Sequence, residues 1–387
     1  MTYNLQETRK QRLYDYMDTK QITTKRNSHL DLIRVIAMLF VIAIHTSWEY
    51  SLGIFPEVLI RSTLFTANGL FFLLSGHLTL NFEEDELDPA SSYRRFYWKK
   101  YCSLILPLVF YCALLVLYSE RHLVGPGTFM TELFWKILPS SREGHIWFIY
   151  SLIAYVMAAP FISVMFKHIS VSGLRLLFGI AIVFEIVSVM LFSNIIESPF
   201  TITGWPFLGW YFYFLSGYFI YNLESFHKKK VFFIILGGVC LLITSSLIAF
   251  VDKPLEGTND TSPVYLFACI GLYLLLESVP VPKFLNKPLE FIASHAYAVY
   301  LIHIEVLVFV RKTIPISTPL SCLACVLTIA AISIAIAFIC DSLILRPVTK
   351  RLTKSSFKIK AAFVAAVTMI TVIIPIILII ILRAQQA

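Results

Sequence analysis

The sequence predicts an all-α polytopic transmembrane bundle of about eleven spans, and three observations carry that prediction. The 387 residues are 58% hydrophobic and 14% charged, against roughly 45–50% apolar and about 25% charged in soluble domains, and mean hydropathy is +0.76. Apolar runs of about 17 to 25 residues, long enough to cross a hydrocarbon core, recur along the chain. Lys and Arg are also distributed unevenly: 23 fall in the segments on one side of the spans, 8 on the other counting Arg61 at the outer end of the second span, and Arg34 lies inside a span. Excess cationic residues mark the cytoplasmic side, so the N-terminus is expected inside and the C-terminus outside. The net charge of +8 then reflects topology and contact with anionic membrane lipids, and a nucleic-acid partner is not expected.

The elements follow in order. Residues 1–29 form a polar cytoplasmic segment carrying six Lys and Arg; the apolar run behind them begins too late for a cleaved signal peptide, so the first span is expected to be retained. Spans are expected at 30–51, 57–80, 102–119, 146–166, 173–193, 204–221, 231–251, 263–280, 289–310, 320–345 and 361–382. The longest loop, 120–145, has fewer than thirty residues and leaves no room for a second domain. Ten spans therefore form one membrane domain, 30–345, followed by a basic cytoplasmic linker, 346–360, that reads as a hinge before an appended eleventh span and short tail, 361–387. The seven cysteines lie in or beside the spans. Cys322 and Cys325 form a C-x-x-C, but no second pair or nearby histidine cluster accompanies it, so they read as packing residues.

Within these apolar runs, ionisable residues are costly and need a reason. "RVIAMLFVIAIH" places Arg34 and His45 eleven residues apart, a rotation of about 1100° that returns both to one helix face, about 16 Å apart along the axis. Asp31, three residues before Arg34, is placed to pair with it. His145 opens the fourth span and His303 lies about two-thirds along the ninth, so three histidines from three helices share the outer half of the membrane. Each could instead be an interfacial residue with one hydrogen bond. Zinc held by three histidines is chemically conceivable, but no carboxylate motif of known spacing accompanies them and no metal is expected.

Toward the inner face, Ser75-Gly76 and Ser216-Gly217 each end an aromatic run with Asn six residues after the Ser. This short echo suggests two helix ends where small residues permit close backbone approach. Arg94, Arg95, Lys99 and Lys100 precede the third span and Arg346 closes the tenth, a rim suited to phosphate or to topology alone. Trp205 and Trp210 suit either a sugar ring or an interfacial aromatic belt. Glu185, mid-span, calls for a hydrogen-bond partner or a function.

Taken together, R-x10-H in the first span, "FFLLSG" in the second, a basic segment before "LILPLVFY", "HIWFIYSL" in the fourth, "YAVYLIH" in the ninth and "RP" closing the tenth resemble the acyltransferase-3 family of integral-membrane acyltransferases. The resemblance runs in order from about residue 28 to 350. It implies transfer of an acyl group, usually acetyl from acetyl-CoA, to a hydroxyl of an extracytoplasmic glycan or lipid-linked sugar. It implies His45 as the catalytic histidine, with Arg34 and Asp31 as its motif partners. The CoA phosphates would meet Arg34, Ser75, Lys99, Lys100 and Arg346; on the acceptor side His145, Trp147, His303, Trp205 and Glu185 are candidates by position, and the resemblance assigns Glu185 no role. Lys99 and Lys100 replace the family's usual arginine pair; lysine supplies charge without the bidentate fork. The resemblance further implies a multi-pass protein of a bacterial cytoplasmic membrane, working alone or beside glycan-assembly proteins.

Two other classes remain open at this point. An exporter of polysaccharide or lipid-linked sugar would use the same buried Arg and His as a pathway, although an odd span count and no detectable half-to-half repeat disfavour an inverted-repeat transporter. A silent assembly subunit would be indifferent to replacement of His45.

Overall fold

The computed structural model describes residues 26–46, 52–119, 125–138, 145–187, 209–250 and 262–384. Among them every regular element is helical. Twelve helices of twelve residues or more follow in order: α1 (Ser28–His45), α2 (Ile54–Thr79), α3 (Pro89–Tyr118), α4 (Pro126–Ile137), α5 (Trp147–His168), α6 (Val171–Glu185), α7 (Trp210–Asn222), α8 (Lys230–Phe250), α9 (Pro263–Ser278), α10 (Asn286–Val310), α11 (Pro319–Lys354) and α12 (Phe357–Ile381). Each of the eleven expected runs overlaps a helix among the described residues. Eight helices, α1, α2, α3, α5, α8, α10 with its leading turn, α11 and α12, are long and apolar enough to cross a membrane. Helix α9 is apolar but shorter, and α6 and α7 flank the segment 188–208 that lies outside the described residues.

Three long helices are interrupted by a π-helical turn, at Tyr101–Ile105, Asp341–Leu345 and Met369–Ile373. In each case a proline, Pro107, Pro347 or Pro375, follows two residues later. Proline has no N–H to donate to the residue four before it, and its ring crowds that carbonyl; a widened turn absorbs both problems and lets the helix continue. This is why α11 runs on through "RPVTKRLTK" instead of ending near residue 345. The break between the ten-span region and the last helix narrows to Ser355 and Ser356, where the Ser356 side chain accepts the Ile359 N–H to start α12. Helix α3 likewise begins thirteen residues before the apolar run, because Asp88 caps it through the Ser91 N–H and Pro89 fits its first turn. The loop 120–145 contains α4, too short to span.

Helix α1 packs between α2 and α10, and α2 packs along α7, as α8 does along α9. The Ser-Gly echo explains the α2–α7 contact: a Cβ on Gly76 would collide with the Phe214 carbonyl, and one on Gly217 with the Leu73 carbonyl. The two glycines face each other's backbone, so the repeated motif packs against itself. Aromatic side chains fill the space around this crossing, with Phe72, Phe148, Tyr155, Trp210 and Phe214 joined by ring contacts. Large apolar side chains on α8 and α12, such as Val231, Phe232, Ile235 and Ile380, point outward. Lipid tails are the surroundings such faces require.

Candidate active site

The buried polar groups gather at two ends of α1. The histidine end begins with His45, the last residue of the helix. Thr46 stops α1 there by turning its N–H onto Ile42 and Ala43 and its hydroxyl onto Ile42, which leaves the His45 ring exposed. Its ring centroid stands 5.3 Å from that of His303 on α10. His303 is fully buried and stands 5.5 Å from His145, edge to face. The three histidines singled out in the sequence therefore meet.

His303 is held in one orientation. Its Nδ1 lies 2.7 Å from the Tyr300 carbonyl, an acceptor only, so Nδ1 carries the proton and Nε2 is a bare acceptor. That Nε2 is buried and has no hydrogen-bond partner among the described residues. Tyr300 also fixes the third histidine, its hydroxyl donating to the His145 carbonyl at 2.6 Å. No set of three His, Cys, Asp or Glu among the described residues is arranged to hold a metal ion. Trp147 sits one layer away, its ring 5.7 Å from Trp210; Trp205 lies outside the described residues. Sequence reasoning passed over Glu305, two residues beyond His303 on α10, which pairs with Lys136 of α4 at 3.2 Å. A carboxylate inside an apolar run was the available signal, but its partner comes from a helix that was not expected.

The arginine end lies three turns back. Asp31 is 3% exposed, and its carboxylate receives Arg34 at 3.2 Å, the expected pair. It also receives Arg26 at 2.7 Å, which was not expected; Arg26 in turn donates to the Glu290 carbonyl of α10 at 3.2 Å. Arg26 also pairs with the Glu290 carboxylate at 3.4 Å, so two cations meet two carboxylates here, with Arg34 reaching Asp31 through one nitrogen. Nearby, the Tyr273 hydroxyl of α9 meets His77 Nδ1 of α2 at 2.9 Å, another polar pair the sequence reading missed. Ser75 is half-buried on α2, and Lys100 crosses from α3 to donate to Thr79 on α2 at 3.2 Å. Lys99 is exposed. Arg346 donates to His295 Nε2 on α10 at 3.4 Å, while His295 directs Nδ1 at the Phe291 carbonyl.

Glu185 has a defined structural task. It is 1% exposed, and both its oxygens accept the Gly209 N–H, at 3.2 and 3.1 Å. Gly209 is the residue before α7 and has φ 61°, a left-handed conformation that glycine adopts without strain. A carboxylate at a helix N-terminus is favourable. Glu185→Ala is expected to lower stability by about 1–3 kcal/mol, whereas Glu185→Gln, which keeps an acceptor, should cost much less; thermal unfolding in detergent measures both.

Membrane-length helices that sequester an exposed imidazole, two further histidines and a paired guanidinium define an integral-membrane protein with enzyme-like polar sites. The chain belongs to the acyltransferase-3 family: the family's model, described as an acyltransferase domain, matches residues 27–340, from the start of α1 into α11. The family makes the chain a membrane acyltransferase. No curated protein and no solved structure gave a match.

Proposed function

We propose that the chain transfers an acyl group, acetyl in the first instance, from acyl-CoA on the cytoplasmic side to a hydroxyl of an extracytoplasmic glycan or lipid-linked sugar, with His45 at the reacting end. The observation that carries this reading is the placement of His45, exposed at the end of α1 and backed by His303. A sugar hydroxyl is a poor nucleophile. As its oxygen attacks the thioester carbonyl, an imidazole takes its proton; the C–S bond then breaks and the proton passes to the departing thiolate. The same imidazole can instead attack first and carry the acyl group before the hydroxyl takes it.

The arginine end supports the donor side. Arg34 spends one nitrogen on Asp31 and keeps other donors for a phosphate, and Ser75, Lys99, Lys100 and Arg346 complete the proposed phosphate contacts. About 16 Å of α1 separates Arg34 from His45, so an extended thioester arm lying along the helix would join the two ends. His145, Trp147, His303 and Trp205 are the proposed acceptor contacts. Membrane lipids surround the protein, and glycan-assembly proteins are its proposed neighbours in a bacterial cytoplasmic membrane, with eleven spans and the N-terminus inside.

The test uses purified protein, radiolabelled acetyl-CoA and a panel of glycans. Label is expected in a glycan with wild type. Absence of both CoA binding and transfer across a panel of acyl donors overturns the proposal. Label on the enzyme itself after donor alone identifies the acyl-carrier route.

A further inference from the structure

A groove of about 940 Å³ lies between α3 and α12, with Met157 of α5 and Thr353 of α11 also in its lining. None of the residues assigned to acyl transfer lines it, although Lys99 and Lys100 lie between its lining residues Trp98 and Tyr101 on α3, and no Asp or Glu lines it. The basic cluster before the third span divides here: Lys100 turns to Thr79 in the bundle, while Arg94 and Arg95 turn to the groove.

The two facing walls are stripes of the same kind. On α12, Phe357, Lys360, Ala361, Val364 and Ala365 recur at helical spacing along one face. On α3 the opposing stripe runs from Arg94 and Arg95 through Trp98 to Ile105. Both stripes begin cationic and aromatic and end apolar. At the cationic mouth, Arg94 lies over Phe357 at 5.9 Å and Lys360 over Trp98 at 5.2 Å, and the Trp98 indole donates to Thr353 at 3.4 Å. Arg94 has only a distant, exposed Asp88 at 4.0 Å, which offsets little of its charge. Neither Arg95 nor Lys360 has a carboxylate within ion-pair distance among the described residues.

A ligand for this groove must be anionic at one end and apolar at the other, and must lie where two membrane helices begin. We infer that the groove holds an anionic glycerophospholipid, its phosphate between Arg94, Arg95 and Lys360 and its acyl chain along Ile105 and Val364. Basic, aromatic-rimmed pockets between membrane helices suit such headgroups. The bound lipid would fill the space between α12 and the rest of the bundle near the Ser355–Ser356 break. The inference is independent of the acyl-transfer reading.

The test is native mass spectrometry of the purified full chain with phosphatidylglycerol or phosphatidylcholine, for wild type and the double variant Arg95→Gln/Lys360→Gln. Phosphatidylglycerol should be retained in preference to phosphatidylcholine, and the double variant should lose about thirtyfold in affinity for it. A second measurement needs no charge variant: brominated phosphatidylglycerol should quench tryptophan fluorescence more in wild type than in Trp98→Phe. Equal retention of the two lipids, an unchanged double variant, or quenching indifferent to Trp98 overturns the inference. Displacement of the lipid by coenzyme A would give the groove to the donor and also overturn it.

Discussion

Replacing His45 by alanine is expected to lower acyl transfer by about 10²–10⁴-fold, the usual contribution of a positioned acid–base group, while leaving thermal stability nearly unchanged. The split follows from the structure. The ring is exposed at the end of α1, and the helix is stopped by Thr46 and not by the histidine. Steady-state rates with saturating acyl-CoA and acceptor, read beside the melting midpoint, check both halves. A fall in both together would make His45 a packing residue. If the imidazole acts as the base, the wild-type rate should also fall on the acid side, where it is protonated and can no longer accept the hydroxyl proton.

The second large effect is on folding. Gly217→Ala or Gly76→Ala should cost about 3 kcal/mol or more, because the added Cβ meets a backbone carbonyl that cannot rotate away as a side chain would. Helix association in lipid depends on such close approach, since burial of apolar surface provides no drive there. Gly238→Ala is the matched control: it too is a helical glycine, but open space surrounds its Cβ position, so its stability should be unchanged or slightly raised. Size-exclusion profiles and thermal midpoints in detergent separate the two cases. A Gly217→Ala protein as stable as Gly238→Ala would mean that α2 and α7 do not cross at these glycines.

What could be read from the sequence and what could not divides along physical lines. Hydropathy marks a membrane helix along its length, so all eleven expected runs overlap helices among the described residues, eight of them long and apolar enough to cross a membrane. Helix ends set by polar residues were less visible: α3 and α11 extend well past their apolar portions, because a capped start and π-turns before Pro107 and Pro347 keep them going. Within one helix, periodicity sufficed to anticipate the Asp31–Arg34 pair. The meeting of His45, His145 and His303 was suggested by depth alone, and contact between helices decides it. Lys136 on Glu305 arrives from elsewhere in the chain and leaves no local trace, while Arg26, five residues before Asp31, lies ahead of the helix, where periodicity does not apply. Glu185 shows the same limit, since its burial cost was legible but its partner, the Gly209 N–H, lies across a segment of more than twenty residues.

In the proposed function, one helix links a donor on one side of the membrane to an acceptor on the other. Sealed vesicles containing the purified protein in one orientation, with radiolabelled acetyl-CoA present only on the side of the N-terminus and glycan only on the opposite side, test it most directly. Label on the external glycan, lost with His45→Ala, is the predicted result. Transfer only when donor and acceptor share one compartment would contradict the account.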